Sequence, residues 1–337
     1  MTIERSAGII LFKVDGGRRL YLFLKRGEGF LDFPKGHIED GESLLEAAVR
    51  ETKEEAGISA RPIPAFSVDE TYWFNKGRNR VRKEVRMFLA QVGRSTKVRI
   101  SHEHSGYVWL NINEALRRVK FDTQKNIMKE ADSYAGKYIK MKKLNNEYAK
   151  LPDKIGSWSL SRAFVGGEGP LSAEIMLVGQ APGANEDRLG RPFIGRSGRL
   201  LTQLLKSAGV DRDKVYICSC VQFFPPKNRM PYPAEIKACK PFLMEQIQIV
   251  NPKIIVLVGA LASREVVGVK EIMKAHGSII EGEMGRRYFV TLHPAAAVRL
   301  KKNMKPIKED FLKLKGILSE FDRNRQENST LPSSVQA

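Results

Sequence analysis

Cysteine is scarce in this chain: three in 337 residues, at Cys218, Cys220 and Cys239. An odd, small number excludes a disulfide framework as the basis of the fold. Long apolar runs are also missing. None reaches the roughly 18 residues of a membrane span, so no membrane partner is expected. The opening residues, MTIERSAGIILF, lack a basic stretch followed by an apolar run and a cleavage site, which predicts a cytoplasmic, intracellular chain. Acidic residues are few beside basic ones, 38 Asp and Glu against 57 Lys and Arg, for a net charge of +19. Such an excess raises the local concentration of polyanions, with nucleic acid and nucleotides the natural candidates. A solvated Lys-rich surface is the plainer alternative. A hydrophobic share of 42% with 28% charged residues belongs to a folded protein, and the length suits two domains.

The two halves differ in rhythm. Residues 5–12 and 20–25 read as strands around a Gly16–Gly17 turn. A helix is predicted over 43–56, ended by Gly57, then strands at 84–92 and 105–110 and helices from about 112 and 123. Residues 136–152 are basic and read as a helical linker. Beyond it, short apolar runs at 175–179, 215–221, 254–259 and 288–292 alternate with helical patterns at 196–208, 233–249 and 260–268. Strand alternating with helix predicts a parallel sheet covered on both faces. The expected domains are therefore 1–135 and 153–322, with a polar, disordered tail at 323–337.

The predicted helix over 43–56 carries a dense pattern. Gly36, Glu42, Arg50, Glu51, Glu54, Glu55 and Gly57 stand at fixed spacings and are followed by Ile58. Seven identities at roughly 7% each put a chance match near about 10⁻⁸ per window. Glu51, Glu54 and Glu55 are at i, i+3 and i+4, on one helix face, where like charges repel unless a cation neutralises them. A hard cation such as Mg²⁺ takes oxygen ligands and bridges to phosphates. Gly36 is expected to permit the loop before the helix and Gly57 its left-handed cap. The pattern resembles the box of the Nudix hydrolases. Thr52 is a mild departure, since the family often has an apolar residue there.

More of the first 135 residues is similar to one subgroup. Asp32–His37 (DFPKGH) and Ser101–His104 (SHEH), with Tyr107 and Trp109, resemble the asymmetrical diadenosine tetraphosphate hydrolases. The resemblance implies an α/β/α sandwich with a mixed sheet. It implies Mg²⁺, with Mn²⁺ as the alternative, on Glu51, Glu54 and Glu55. Glu54 and Glu103 would act in catalysis, and Lys35, Gly36, Glu42, Arg50 and Tyr72 would hold the nucleotide. Related enzymes with the same box cleave other nucleotides, so the box indicates the chemistry more narrowly than the substrate.

In the second half, Gly179–Asp187 (GQAPGANED) follows a predicted strand, where parallel sheets bind ligands. Gly190–Gly198 (GRPFIGRSG), Pro225–Arg229 (PPKNR) and His293–Arg299 (HPAAAVR) come after it in that order. Together they resemble the uracil-DNA glycosylase superfamily, family 4, over roughly residues 155–320. That implies an α/β/α sandwich with a central parallel sheet and a base flipped out of DNA into a pocket. Phe193 would stack on the base, and His293 would donate to its oxygen. Gln180 and Glu186 would lie beside the attacking water. Ser219 and Asn228 would meet the base, and Arg196 and Arg299 the phosphates.

The chain departs from that family in three ways. Gln180 replaces a glutamate and cannot take a proton. Ser219 replaces an asparagine and lacks its paired amide donor and acceptor. Of the four cysteines that hold the family's iron–sulfur cluster only Cys239 matches; Phe223 stands at another ligand position, and no Cys-x-x-Cys pair lies near 157–160. No cluster is therefore expected. The sequence points to a bifunctional enzyme acting on nucleotides and on DNA. The alternative is a Nudix hydrolase joined to a catalytically altered domain that only binds nucleic acid.

Overall fold

The structure is a computed structural model that describes residues 2–27, 29–77, 79–155, 158–282 and 285–330, without the side chains of 321, 322 and 324–330. The chain divides into two compact units, Met1–Tyr138 and Ile139–Ala337. Among the described residues no helix is long and apolar enough to cross a membrane.

The first unit contains β1 (Thr2–Asp15), β2 (Arg18–Arg26), β3 (Phe30–Asp32), β4 (Lys35–His37), α1 (Leu44–Ala56), β5 (Ser67–Lys76), β6 (Asn79–Gln91), β7 (Gly106–Leu110) and α2 (Ile112–Arg118), and α3 (Asp122–Ala149) begins within it. The strands form one seven-stranded mixed sheet in the order β3-β2-β1-β6-β5, with β4 pairing β1 and β7 pairing β2. β1 is parallel to β6 and antiparallel to β2. β5 escaped the sequence analysis because buried Glu70 and exposed Trp73 break the apolar–polar alternation; it pairs antiparallel with β6. α1 starts at a capping box. Ser43 Oγ accepts from the Glu46 amide at 3.3 Å, and the Glu46 carboxylate accepts from the Ser43 amide at 2.9 Å. Ala47, Ala48 and Ala56 of α1 pack on Ala7, Ile9 and Leu11 of β1. Thr52 is buried in that face and satisfies its hydroxyl by donating to the Ala48 carbonyl at 2.7 Å.

The second unit contains α4 (Leu151–Lys154), β8 (Ile175–Gly179), α5 (Ala184–Leu189), α6 (Arg196–Ser207), β9 (Val215–Ser219), α7 (Pro233–Val250), β10 (Ile254–Val258), α8 (Ala260–Val267), α9 (Ile272–Ala275), β11 (Ile279–Glu281), β12 (Arg287–Thr291), α10 (Pro294–Arg299) and α11 (Met304–Thr330). Its five-stranded sheet runs β11-β12-β10-β8-β9. Four strands are parallel, and β11 adds an antiparallel edge. β10 is buried throughout (IIVLV), as a strand covered on both faces must be.

Two boundaries differ from the expectation. The supposed linker is packed: Met141, Leu144, Tyr148 and Leu151 are all buried. Its basic residues hid an apolar stripe at helical spacing. The supposed tail is helical as far as Thr330, and 331–337 lie outside the described residues.

Two candidate active sites

In the first unit, Arg50 organises the loop and helix of the box. Its Nε and Nη2 donate to the two oxygens of Glu42, both at 2.9 Å. Nη2 also reaches the His37 carbonyl at 2.8 Å, and Nη1 reaches Glu51 at 2.9 Å and Glu54 at 3.2 Å. Each guanidinium nitrogen thus has a partner inside the protein. Glu42 and Arg50, expected at the nucleotide, brace the loop before the helix. The Glu51 carboxylate lies so close to Gly36 that a Cβ there would fall 2.0 Å from it. Gly36, expected in the loop before the helix, sits in β4 and is required there for close approach.

The three glutamates of the helix face do not converge. Glu54 is 57% exposed, and Glu51 and Glu54 meet only at Arg50 Nη1. Glu55 is buried and turned inward: one oxygen accepts from Arg26 Nη2 at 2.7 Å and the other from the Lys35 amide at 2.9 Å. Burial pushes its carboxyl above the usual range. Among the described residues no group of three or more His, Cys, Asp or Glu is arranged to hold a metal ion.

Arg26, which the sequence analysis missed, links the helix to the late His-Glu-His segment. Its Nη2 lies 4.0 Å from Glu103, and its Nε donates to His104 Nε2 at 3.3 Å. His104 is held below the ordinary histidine pKa by burial and by Arg26. Lys35 Nζ is paired with Asp32. Tyr72 stands opposite Lys83 in the β5–β6 register, so the two share a sheet face. Lys83 Nζ reaches His37 Nε2 at 2.8 Å and Glu4 at 3.3 Å. Glu4, Lys83 and Arg26 lie outside any motif; only the sheet brings them here.

In the second unit, a cavity of about 470 Å³ opens at the carboxyl ends of β8, β9 and β12. Gln180, Glu186, Phe193, Ser219, Asn228, His293 and Arg299 all line it, together with Met230. Arg196 does not; it is exposed at the first turn of α6. The rings of Phe193 and His293 are stacked at 5.9 Å with 24° between planes. His293 Nδ1 accepts from the Ala295 amide at 3.1 Å. Burial and the nearby Arg299 push its pKa down to about 4. The imidazole is therefore neutral, with its proton on Nε2. Gly259, at φ 95°, lies against it, and a Cβ there would fall 2.9 Å from the His293 Cβ. Glu186, expected beside the attacking water, has one oxygen engaged by the backbone. Its Oε1 accepts from the Ile194 and Gly195 amides at 3.1 and 2.9 Å, fixing the loop that carries Phe193. Its Oε2 and Asn228 Oδ1 face Gly183. Its neighbour Asp187 accepts from Ser161 Oγ at 2.5 Å.

A family model for the NUDIX domain matches residues 2–131, and one for the uracil DNA glycosylase superfamily matches 167–315. Over 158 residues the chain is 42% identical to the type-4 uracil-DNA glycosylase of Thermotoga maritima, covering 46% of this chain and 82% of that protein. It is 42% identical over 174 residues to the type-4 enzyme of Sulfurisphaera tokodaii, covering 48% and 78%. Over 143 residues it is 36% identical to the asymmetrical bis(5'-nucleosyl)-tetraphosphatase of Sus scrofa, covering 39% and 94%. The chain belongs to both families. It joins a Nudix unit to a uracil-DNA glycosylase unit.

The glycosylase unit does not fit the iron–sulfur cluster that its resemblance implies. Tyr148, delivered by the end of α3, is stacked on Phe242 at 4.3 Å and 8°. It packs edge-on against Phe223 at 5.4 Å, and Trp158 packs on Phe223 at 5.0 Å. Phe164 closes the group, 5.2 Å from Tyr148. The Tyr148 hydroxyl is hydrogen-bonded to Cys239, whose thiol burial pushes up to about 11. Cys239 and Phe223, both at family ligand positions, thus meet a tyrosine and a nest of rings. Buried, protonated thiols of Cys239 and the neighbouring Cys220 beside aromatic carbons fall short of the four thiolates such a cluster needs.

Proposed function

We propose that the Nudix unit is a Mg²⁺-dependent hydrolase of nucleoside polyphosphates, with diadenosine tetraphosphate the first compound to test. The glycosylase unit would excise uracil or another deaminated base from DNA. The observation carrying the first reading is the pair Glu51 and Glu54, which approach one cationic nitrogen of Arg50. Their oxygens suit a hard cation, and Glu55 would join them by turning from Arg26. Mg²⁺, with Mn²⁺ as substitute, would supply charge neutralisation at phosphate and an acidified water. Lys35 would contact phosphate, and Tyr72 would lie along the nucleotide beside Lys83 and His37. Glu54 and Glu103 are the exposed carboxylates that can take a proton from water.

The second reading rests on the stacked Phe193–His293 pair in the cavity. Water attacks the sugar C1′, the bond to the base nitrogen breaks, the base leaves with its electron pair, and the proton shed by the water ends on the departed base nitrogen. Neutral His293 donates from Nε2 to the base oxygen as charge develops there. Glu186 Oε2 and Asn228 Oδ1 would orient the water, and Gln180 and Ser219 would meet the base edge. Arg299, and more remotely Arg196, would contact phosphates. Ser219 in place of an amide, and Glu186 Oε1 tied to two amides, favour the alternative of nucleic-acid binding without excision. Two assays on the full chain decide. One is a nucleotide panel with and without Mg²⁺. The other is a set of labelled oligonucleotides carrying uracil, hypoxanthine or other deaminated bases. No hydrolysis of any nucleotide, read as the nucleotide products separated by chromatography, would overturn the first reading. DNA binding without excision of any base would leave the binding alternative.

A further inference from the structure

The loop Pro225–Tyr232 beside the glycosylase cavity is held more firmly than a surface loop requires. Lys227 and Asn228 both adopt left-handed backbone, φ 57° and 55°, which is unusual for side chains other than glycine. Arg229 forms a bidentate pair with the buried Glu235, Nη1 to Oε2 at 2.9 Å and Nη2 to Oε1 at 2.7 Å. The same guanidinium donates to the Met230 carbonyl at 2.9 Å and to Ser159 Oγ at 2.8 Å. Glu235 also accepts from the Tyr232 amide at 2.6 Å. Arg229 is therefore spent inside the protein and is not available for a phosphate.

This scaffold presents two apolar side chains to solvent. Met230 lines the cavity and is 50% exposed; Tyr232 is 55% exposed. The Arg229 guanidinium lies 3.8 Å from the centre of the Tyr232 ring. A cation on one face holds the ring in a fixed plane and leaves its other side open. Exposed rings held in this way are poor surface residues and good stacking platforms. The surroundings indicate the partner. Arg299 lines the same cavity, exposed Lys227 precedes Asn228, and the chain carries a net charge of +19.

We propose that Tyr232, clamped by Arg229, is a stacking platform for the DNA base flanking the extruded nucleotide, with Met230 packed between that base and the cavity mouth. The proposal rests on the DNA reading of the glycosylase unit and specifies how the strand is held. Every base has a π-face, so this contact tolerates any sequence.

The test uses the full chain and a fluorescent single-stranded oligonucleotide carrying one uracil, with binding read by anisotropy at fixed salt. Tyr232→Ala should weaken binding roughly ten-fold or more, as loss of one base–aromatic stack does. Tyr232→Phe should restore it to within about two-fold, because the ring and not the hydroxyl makes the contact. A 2-aminopurine placed beside the uracil should be quenched on binding wild type and not Tyr232→Ala. Wild type that binds while Tyr232→Ala binds equally and quenches equally would sink the platform alone. Wild type that fails to bind at low salt would overturn the DNA reading together with it.

Discussion

The backbone amide of Ala295 donates to Nδ1 of His293 at 3.1 Å. That one bond decides the tautomer, because the nitrogen that accepts cannot also carry the proton. It leaves Nε2–H as the only donor the ring can offer to a base.

His293→Ala should therefore cut single-turnover excision by about a hundred-fold or more while changing DNA affinity only a few-fold, since such donors act mainly in the transition state. The pKa of about 4 makes a second expectation. Excision should show no acid limb near the ordinary histidine value, and His293 should protonate only near pH 4. For stability the sign is that of a depressed histidine. The unfolded chain binds the proton first, so stability is fully present above about pH 6.5 and is lost as pH falls towards 4. A rate titrating near pH 6.5, and removed by His293→Ala, would contradict this.

Glu54 and Glu55 should respond differently to the same substitution. Glu54→Gln alters an exposed carboxylate. It should remove phosphohydrolase activity by about a hundred-fold or more, with the melting temperature unchanged. Glu55→Gln should lower both, because the buried carboxylate that accepts from Arg26 and from the Lys35 amide loses its charge. Steady-state kinetics at saturating Mg²⁺ and a thermal melt separate the two cases.

Tyr148→Ala should destabilise the glycosylase unit by about 3–5 kcal/mol, the range for emptying a large aromatic from a core. Denaturant unfolding followed by tryptophan emission reads this, since Trp158 lies in the same nest. Metal analysis after anaerobic purification should find far less than one iron per chain. A stoichiometric chromophore, or a variant as stable as wild type, would show that the rings are not what fills this region.

Arg299→Ala should weaken DNA binding uniformly across sequences and reduce the salt dependence of log K by about 1, as loss of one phosphate contact does. The maximal excision rate should hardly change, because a phosphate contact is made equally in ground and transition states. Binding isotherms at several salt concentrations check the slope.

Much of the fold was legible because its signals are local. Strand–helix alternation after residue 170 carries the second sheet, and the glutamate spacing places three carboxylates on one turn of α1. What stayed hidden depends on distance in sequence. Glu55 turns inward because Arg26, on β2, meets it. Glu186 has one oxygen, Oε1, engaged by two amides across a loop. The helix read as a linker carries Tyr148, whose partners Phe223 and Phe242 are dozens of residues away. Periodicity reports which face of an element is apolar, but not what a polar head finds when that face is docked.

Arg50 stands between Glu51 and Glu54 where a divalent cation would compete. Two carboxylates one helical turn apart would otherwise repel and loosen α1. With a guanidinium already between them, the helix needs no metal in order to form. Folding would then not wait on metal loading. If the unit depends on Mg²⁺ as proposed, withdrawing the ion should stop hydrolysis while α1 stays folded, with the melting temperature lowered only by what ion binding itself adds.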